Sequence, residues 1–144
     1  MRLLVAGGRD YADKERVFRE LDAIHLSRRV TLLIQGGGTG ADALAKEWAK
    51  SRRVPWRAGE YRAAWEDLSA NPALIRTRRD GRLYNALAGG ERNQRMLDRG
   101  RPDVVLAFPG GKGTFDVLKR AYAARRGGRP ELEIVEIKDE GYRR

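Results

Sequence analysis

Three clusters of glycine, each placed after a short apolar run, constrain this sequence more than any other feature. They hold nine of its seventeen glycines: Gly7-Gly8, Gly36-Gly37-Gly38 with Gly40, and Gly110-Gly111 with Gly113. Clustered glycine in a globular chain marks backbone that turns tightly or lies very close to another group. After each cluster, apolar residues recur with the spacing of an amphipathic helix. The pattern predicts repeated strand–turn–helix units.

Five segments have the composition of strands, and helical segments separate them. The strands are predicted at residues 3–6, 30–34, 54–56, 104–108 and 132–137. Strands that alternate with helices form a parallel sheet with right-handed crossovers. The predicted fold class is therefore α/β: a single doubly wound, mostly parallel, Rossmann-like sheet of order 3-2-1-4-5 with helices on both faces. A length of 144 residues fits one domain, and Pro55 indicates that the third strand lies at the sheet edge.

Individual residues predict where the helices begin and end. Asp13 is expected to cap the first helix and His25 to lie near its end. Gly127-Gly128 are expected to end the last helix. Trp48 is predicted to lie in the core, whereas Trp56 and Trp65 fit either the core or a platform on which a base stacks.

The stretch from about residue 60 to residue 90 breaks the repeat. Asn71-Pro72 favours a turn, and the basic run 76–82 predicts a loop or hairpin with Asp80-Gly81 at its tip. A connection of this length is usually functional or mobile.

The composition excludes several classes of site. The chain has no cysteine, which excludes disulfides, cysteine zinc sites and thiol nucleophiles. His25 is its one histidine, which argues against a His-rich metal site and against a Ser–His–Asp triad. No metal site is predicted. No apolar run reaches the ~20 residues of a membrane span, and the N-terminus does not have the pattern of a signal peptide. We expect a soluble, cytoplasmic protein that does not bind membranes.

The net charge of +10 has two interpretations. An excess of positive charge suits nucleic acid or another polyanion. However, 24 of the 30 basic residues are arginine and they are dispersed along the chain, which a GC-rich genome also produces. The net charge alone does not decide between these two interpretations.

Glycine-rich turns between strands and helices are suited to phosphate, because bare backbone brings N–H groups close and the helix dipole adds positive charge. In the predicted topology the three turns meet where the strand order reverses, which is where such sheets bind ligands. Arg9, Lys112 and Thr114 lie within these turns and can complete a phosphate cradle. The candidate ligand- and phosphate-binding residues are Gly7, Gly8, Arg9, Gly36, Gly37, Gly38, Thr39, Gly40, Asp42, Asn93, Pro109, Gly110, Gly111, Lys112, Gly113 and Thr114.

Three of the polar candidates lie in helices. Asp42 and Asp116 are expected in the first turn of a helix, where a carboxylate either contacts a ribose hydroxyl or only complements the dipole. Asn93, with Arg92, is expected to open the helix before the fourth strand and to reach the cleft.

Four stretches carry a resemblance to a known family. They are Val5–Tyr11, Gly36–Ala45, Ala88-Gly89 followed by Arg92–Leu97, and Ala107–Thr114. On these, residues 1 to about 126 resemble the SLOG superfamily, in its YspA/YpsA-related branch. The resemblance implies a Rossmann-like domain shared with LOG phosphoribohydrolases and DprA. It also implies a nucleotide or nucleotide-derived ligand such as ADP-ribose, with no required cofactor, and a homodimer by analogy with LOG proteins.

The resemblance also bears on catalysis. LOG hydrolases carry Pro-Gly-Gly-x-Gly-Thr-x-x-Glu, and Val117 stands at the position of that glutamate. Asp116, Glu91 or Glu60 would have to replace it, and Arg92 stands where those hydrolases have an arginine. Asp116 and Arg92 are therefore the candidate catalytic residues, although the sequence supports binding more firmly than turnover.

Three hypotheses follow, in this order. The first is a protein that binds a small phosphorylated nucleoside derivative as sensor, carrier or sequestering protein. The second is an N-ribosyl hydrolase similar to LOG. The third is a DprA-like protein that binds single-stranded nucleic acid, favoured by the net charge and the basic run but weakened by the dispersion of the arginines.

Overall fold

The computed structural model describes residues 1–57, 63–69 and 73–138, in which seven strands and four helices follow one another. In chain order they are β1 (Arg2–Ala6), α1 (Lys14–Ser27), β2 (Leu32–Ile34), α2 (Ala41–Ser51), β3 (Trp56–Arg57), β4 (Ile75–Thr77), β5 (Leu83–Asn85), α3 (Ala88–Asp98), β6 (Val104–Ala107), α4 (Lys112–Arg126) and β7 (Glu133–Glu136). Glu60 and Asn71-Pro72, which the sequence singled out, lie outside the described residues.

Five of these strands form one parallel sheet. Their order is β3-β2-β1-β6-β7, and every neighbouring pair is parallel. The central strand is β1, in which Leu4 pairs with Ile34 on one side and with Val105 on the other. Leu3 and Leu4 are both fully buried, as expected for a strand covered on both faces. The predicted fold class and strand order are confirmed.

The two faces of the sheet carry different helices. Because successive side chains of a strand point to opposite faces, Leu3 joins the core beneath α1 and α2, and Leu4 joins the core beneath α3 and α4. Trp48 is fully buried in the first core, as predicted, and its indole N–H donates to Asp22 at 2.8 Å. Helices therefore cover both faces.

The helix ends follow the predicted signals at three places. The Asp13 carboxylate caps α1 by accepting the backbone N–H of Arg16 at 3.0 Å. His25 lies in the last turn of that helix, where its Nδ1 accepts the N–H of Val30 at 3.0 Å. Helix α4 ends at Arg126, directly before Gly127.

The basic run forms an antiparallel hairpin of β4 and β5, with Asp80-Gly81 at its tip as predicted. Gly81 has φ +86°, a conformation that favours glycine. Asn85 joins the hairpin to the start of α3, because its carboxamide oxygen accepts N–H groups from Leu74 and Leu87.

Two helices begin earlier than the sequence predicted. Helix α3 begins at Ala88, so Arg92 and Asn93 lie in its second turn rather than at its opening. The reason is that side chains cover its glycines: a Cβ on Gly89 would lie 2.6 Å from the Trp65 ring, and one on Gly90 would lie 2.6 Å from the Arg120 guanidinium. These tertiary contacts outweigh the low helix propensity of glycine.

Helix α4 begins at Lys112 and includes Gly113. Lys112, Gly113 and Thr114 therefore form its first turn rather than a loop, and Asp116 lies in the second turn, not in the first as predicted. In the described part of the chain, no helix is long and apolar enough to cross a membrane.

Candidate functional site

The glycine turns that follow β1, β2 and β6 lie together at the carboxyl edge of the sheet. The backbone N–H of Gly8 donates to the carbonyl of Pro109 at 2.9 Å, which joins the first turn to the third. The N–H of Ala41 donates to the carbonyl of Gly8 at 3.1 Å, and the Thr39 hydroxyl donates to the carbonyl of Arg9 at 2.9 Å. The structure therefore brings these residues to one place.

The turns pack backbone against backbone. A Cβ on Gly8 would lie 3.0 Å from the Pro109 carbonyl oxygen, and one on Gly110 would lie 2.7 Å from the Gly8 nitrogen. Gly40 has φ +68°, and a Cβ there would overlap the carbonyl of Gly8. These glycines let the turns touch, so a ligand has to approach them from outside the sheet edge.

The second turn uses its own N–H groups. The N–H of Gly37 donates to the carboxamide oxygen of Gln35, which is 1% exposed, and the N–H of Gly38 donates to the Asp42 carboxylate at 3.1 Å. Burial raises the pKa of Asp42, although the Gly38 hydrogen bond and the Arg92 charge act against that rise. Residues 35–42 therefore satisfy much of their own backbone.

Arg92 lies beneath this second turn. Its Nη1 donates to the carbonyl of Gly36 at 2.7 Å, and its Nε donates to the Asn93 carboxamide oxygen at 2.9 Å. Burial lowers the pKa of Arg92, and the nearby carboxylate of Asp42 partly offsets this effect. A Cβ on Gly36 would lie 2.8 Å from the guanidinium carbon, so a glycine at this position makes room for Arg92.

Asp116 faces α3 across the contact between α3 and α4. Its Oδ2 accepts from Asn93 Nδ2 at 2.9 Å and from Arg120 Nε at 2.8 Å. Burial acts to raise the pKa of Asp116, but these two hydrogen bonds outweigh it and the pKa lies below its ordinary value. Asn93 is 3% exposed. The two residues therefore hold α3 against α4, and the catalytic assignment of Asp116 remains a prediction.

The third turn differs from the second in its donors. Among the described residues no side chain caps α4, whose N-cap is Gly111. Gly111, Lys112 and Gly113 are exposed, and a Cβ on Gly111 or Gly113 would meet nothing within 4 Å. The N–H groups in the first turn of a helix have no partner within the helix. Among the described residues, no acceptor bonds to the N–H groups of Lys112, Gly113 and Thr114, in contrast to the N–H groups of Gly37 and Gly38.

A pocket of about 330 Å³ lies beside the start of α4, between the ends of β6 and β7. Its walls include Thr114, Phe115 and Leu118 from α4, and Glu136 and Lys138 from the β7 end. Of these, the sequence pointed only to Thr114. The sequence contained a signal for Phe115, because it is a large apolar residue that lies outside the apolar face of α4. In the structure its side chain is 68% exposed.

The two ambiguous tryptophans have different environments. Trp65 packs on Gly89 and lies 6.3 Å from the Tyr84 ring, so it covers the start of α3. Trp56 lies on edge strand β3 with the Lys46 ammonium 4.6 Å from its ring centroid.

Two sequence comparisons relate the chain to known proteins. Residues 1–67 match the family described as YAcAr: YspA, cpYpsA-related SLOG family. The chain is also 32% identical over 126 residues to the "Gene 61 protein" of Mycobacterium phage D29, a match that covers 85% of this chain and 90% of that protein. The chain belongs to the YspA/cpYpsA-related SLOG family.

Proposed function

We propose that the protein binds a nucleotide or nucleotide-derived ligand, with a phosphate at the start of α4. One observation carries the proposal: at the third glycine turn, exposed backbone without a side-chain cap lies next to a pocket. A helix N-terminus with these properties favours an anion. Membership of the SLOG family supports a nucleotide-related ligand.

Positive charge near the turns adds to this preference. Lys112 is exposed in the first turn of α4, and Arg9 is exposed in the first glycine turn. The positive charge of Arg9 acts to lower the pKa of Asp42 and the pKa of Arg92, so Arg9 lies near both groups. These cations and the helix dipole attract an anionic ligand to the sheet edge.

Binding is better supported than hydrolysis of an N-glycosidic bond. Val117, at the position of the LOG glutamate, is 3% exposed in the core beneath α3 and α4. The Asp116 carboxylate is held by Asn93 and Arg120. A stabiliser of an oxocarbenium-like transition state has to face the ligand, and neither position offers one. We therefore propose a sensing, carrying or sequestering role.

Nucleic-acid binding is a second candidate, and the β4–β5 hairpin favours it. The hairpin exposes Arg76, Arg78, Arg79 and Arg82, and the Arg78 guanidinium lies 4.5 Å from the Tyr84 ring centroid. Proteins that bind single-stranded nucleic acid combine cations, which contact the phosphate backbone, with aromatic rings, on which the bases stack. Affinity for a single-stranded oligonucleotide should then fall steeply between about 50 and 200 mM salt. No binding at the lower salt concentration would rule out this candidate.

Thermal unfolding with GMP, AMP, ADP-ribose, NAD and a cyclic nucleotide tests the ligand-binding proposal. A ligand present at about 100 times its Kd adds ~2.7 kcal/mol to the free energy of unfolding. At least one of these nucleotides should raise the Tm of the wild-type protein. If none does, the proposal fails.

Gly111→Asp and Gly111→Asn form a matched pair that locates the phosphate. Nothing lies within 4 Å of a Cβ at Gly111, and both side chains are good N-caps. Gly111→Asp adds a negative charge where the phosphate would lie, so it should remove the nucleotide-dependent rise in Tm. Gly111→Asn should retain most of it. An equal rise in Tm in both variants would show that the phosphate binds elsewhere.

A further inference from the structure

The pocket beside α4 is lined by residues with two kinds of surface. Phe108, Pro109, Phe115, Leu118 and Ile137 provide apolar walls, and Glu136 and Lys138 contribute charged groups. Pockets for small molecules are mostly apolar with a few placed polar groups, and they measure ~300–1,000 Å³. At about 330 Å³ this pocket is large enough for one aromatic base with part of a sugar.

Thr114 is the buried polar group of this pocket. It is 8% exposed, lines the pocket, and its hydroxyl has no hydrogen-bond partner within residues 1–57, 63–69 and 73–138. A hydroxyl can both donate and accept a hydrogen bond. A polar ligand atom in the pocket can therefore bond to the Thr114 hydroxyl.

Phe115 is the aromatic wall. It is 68% exposed although it belongs to a well-formed helix. Val117 and Ala121 of the same helix are buried, so Phe115 contributes little to the core. Bases stack on exposed aromatic rings whatever their identity, because every base has a π-face. A ligand with a planar ring would cover this exposed surface.

Glu136 supplies a hydrogen-bond acceptor at the β7 end of the pocket. Its Oε2 accepts the Tyr122 hydroxyl at 2.7 Å, so Tyr122 is a positioning residue for the carboxylate. An ionised carboxylate only accepts hydrogen bonds. It therefore favours a base that presents donors, and guanine presents two adjacent donors at N1 and N2. Lys138, on the same stretch, is a donor suited to the O6 of guanine.

We propose that this pocket holds the base of the ligand, with Phe115 as the stacking wall and Glu136 as the group that selects a guanine nucleotide. The inference rests on the proposed function, because the phosphate of the same ligand would lie at the start of α4. It names a guanine mononucleotide as the ligand class.

Calorimetric titration with GMP, IMP, AMP and ribose 5-phosphate tests the inference. IMP lacks only the 2-amino group of GMP, so wild-type protein should bind GMP about tenfold more tightly than IMP, a difference of ~1.4 kcal/mol. AMP should bind more weakly than GMP. Equal affinity for GMP, IMP and AMP would overturn the assignment of guanine.

Two variants and two controls separate the roles of the pocket residues. Glu136→Gln should remove the preference for GMP over IMP, whereas Glu133→Gln, on the same strand and paired with Arg28, should keep it. Phe115→Ala should lower the affinity for GMP about tenfold or more and leave the affinity for ribose 5-phosphate unchanged. Leu26→Ala is the control for Phe115→Ala, because it also removes an exposed apolar side chain, one that is 90% exposed on α1. It should change neither the affinity for GMP nor the affinity for ribose 5-phosphate.

The outcomes distinguish this inference from the proposed function. If GMP binds Phe115→Ala and Glu136→Gln as it binds the wild type, the base lies elsewhere and the inference is overturned, while a phosphate site at α4 stands. If neither GMP nor ribose 5-phosphate binds the wild type, both fail. Far-UV circular dichroism and Tm check that each variant is folded.

Discussion

Replacing Gly40 with alanine should destabilise the protein strongly, because Gly40 is where the second turn crosses the first. It has φ +68° and ψ −124°, a conformation that residues with a Cβ rarely adopt. A Cβ at this position would overlap the carbonyl of Gly8 and would lie 2.5 Å from the carbonyl carbon of Arg9. Both contacts are with backbone, which cannot move aside as a side chain can.

The magnitude has two parts. A residue held in such a region of φ and ψ costs ~1–3 kcal/mol, and forcing extra volume into packed surroundings costs ~1–3 kcal/mol. Gly40→Ala should therefore lower the free energy of unfolding by about 2–6 kcal/mol, taken from a total of ~5–15 kcal/mol. For a chain of this length the Tm should fall by roughly 6–18 °C.

Urea unfolding followed by circular dichroism measures this change, with Gly113→Ala as the control. Gly113 lies inside α4, and a Cβ there would meet nothing within 4 Å. Alanine is the better helix former by ~1 kcal/mol, so the control should be more stable than the wild type. If Gly40→Ala unfolds within about 0.5 kcal/mol of the wild type, the first and second turns do not pack as described.

Three further changes have expected outcomes. Arg53 follows α2 with φ +57°, a left-handed conformation that favours glycine. Arg53→Gly should therefore raise the free energy of unfolding, measured by urea titration, by about 0.5–1 kcal/mol. A loss of stability would show that this position does not have the left-handed conformation. Asp116→Asn should destabilise the protein by about 1 kcal/mol at neutral pH. Because the folded pKa of Asp116 is lowered, its ionised form stabilises the fold above the ordinary aspartate value of 3.8, and the difference from wild type should shrink as pH falls below it. Asp42→Asn should stabilise the protein at neutral pH and lose that advantage in acid, because burial raises the pKa of Asp42 and its charged form is unfavourable in the fold. If both aspartate variants shift stability in the same direction across pH 3 to 7, the assigned environments are wrong.

Much of the fold could be predicted because local patterns determine it. Buried strands such as β1 and β6 are continuous apolar runs, and short connections with right-handed crossovers leave few possible strand orders. Asp80-Gly81 carries the turn chemistry of its hairpin. These features depend on residues close together in sequence, so they are visible without the structure.

The sequence did not show which backbone N–H groups of the glycine turns a ligand can reach, because contacts between residues far apart in sequence determine which of them already have an acceptor. All three glycine turns look alike in sequence, yet Gln35 and Asp42 fold back onto the second turn and Arg92 arrives beneath it from α3. The pocket likewise joins Phe115 on α4 to Glu136 on β7. The sequence assigned Asp116 only a position near the start of a helix. In the structure, hydrogen bonds from Asn93 and Arg120 determine what its carboxylate contacts.

The proposed function requires a ligand phosphate bound to the backbone at the start of α4. A titration of ¹⁵N-labelled protein with GMP, followed through the backbone amide signals, measures where the phosphate binds. The signals of Lys112, Gly113 and Thr114 should shift most, and those of Gly37 and Gly38, whose N–H groups donate to Gln35 and Asp42, should shift little. Largest shifts at Gly37 and Gly38, or no shift at α4, would contradict it.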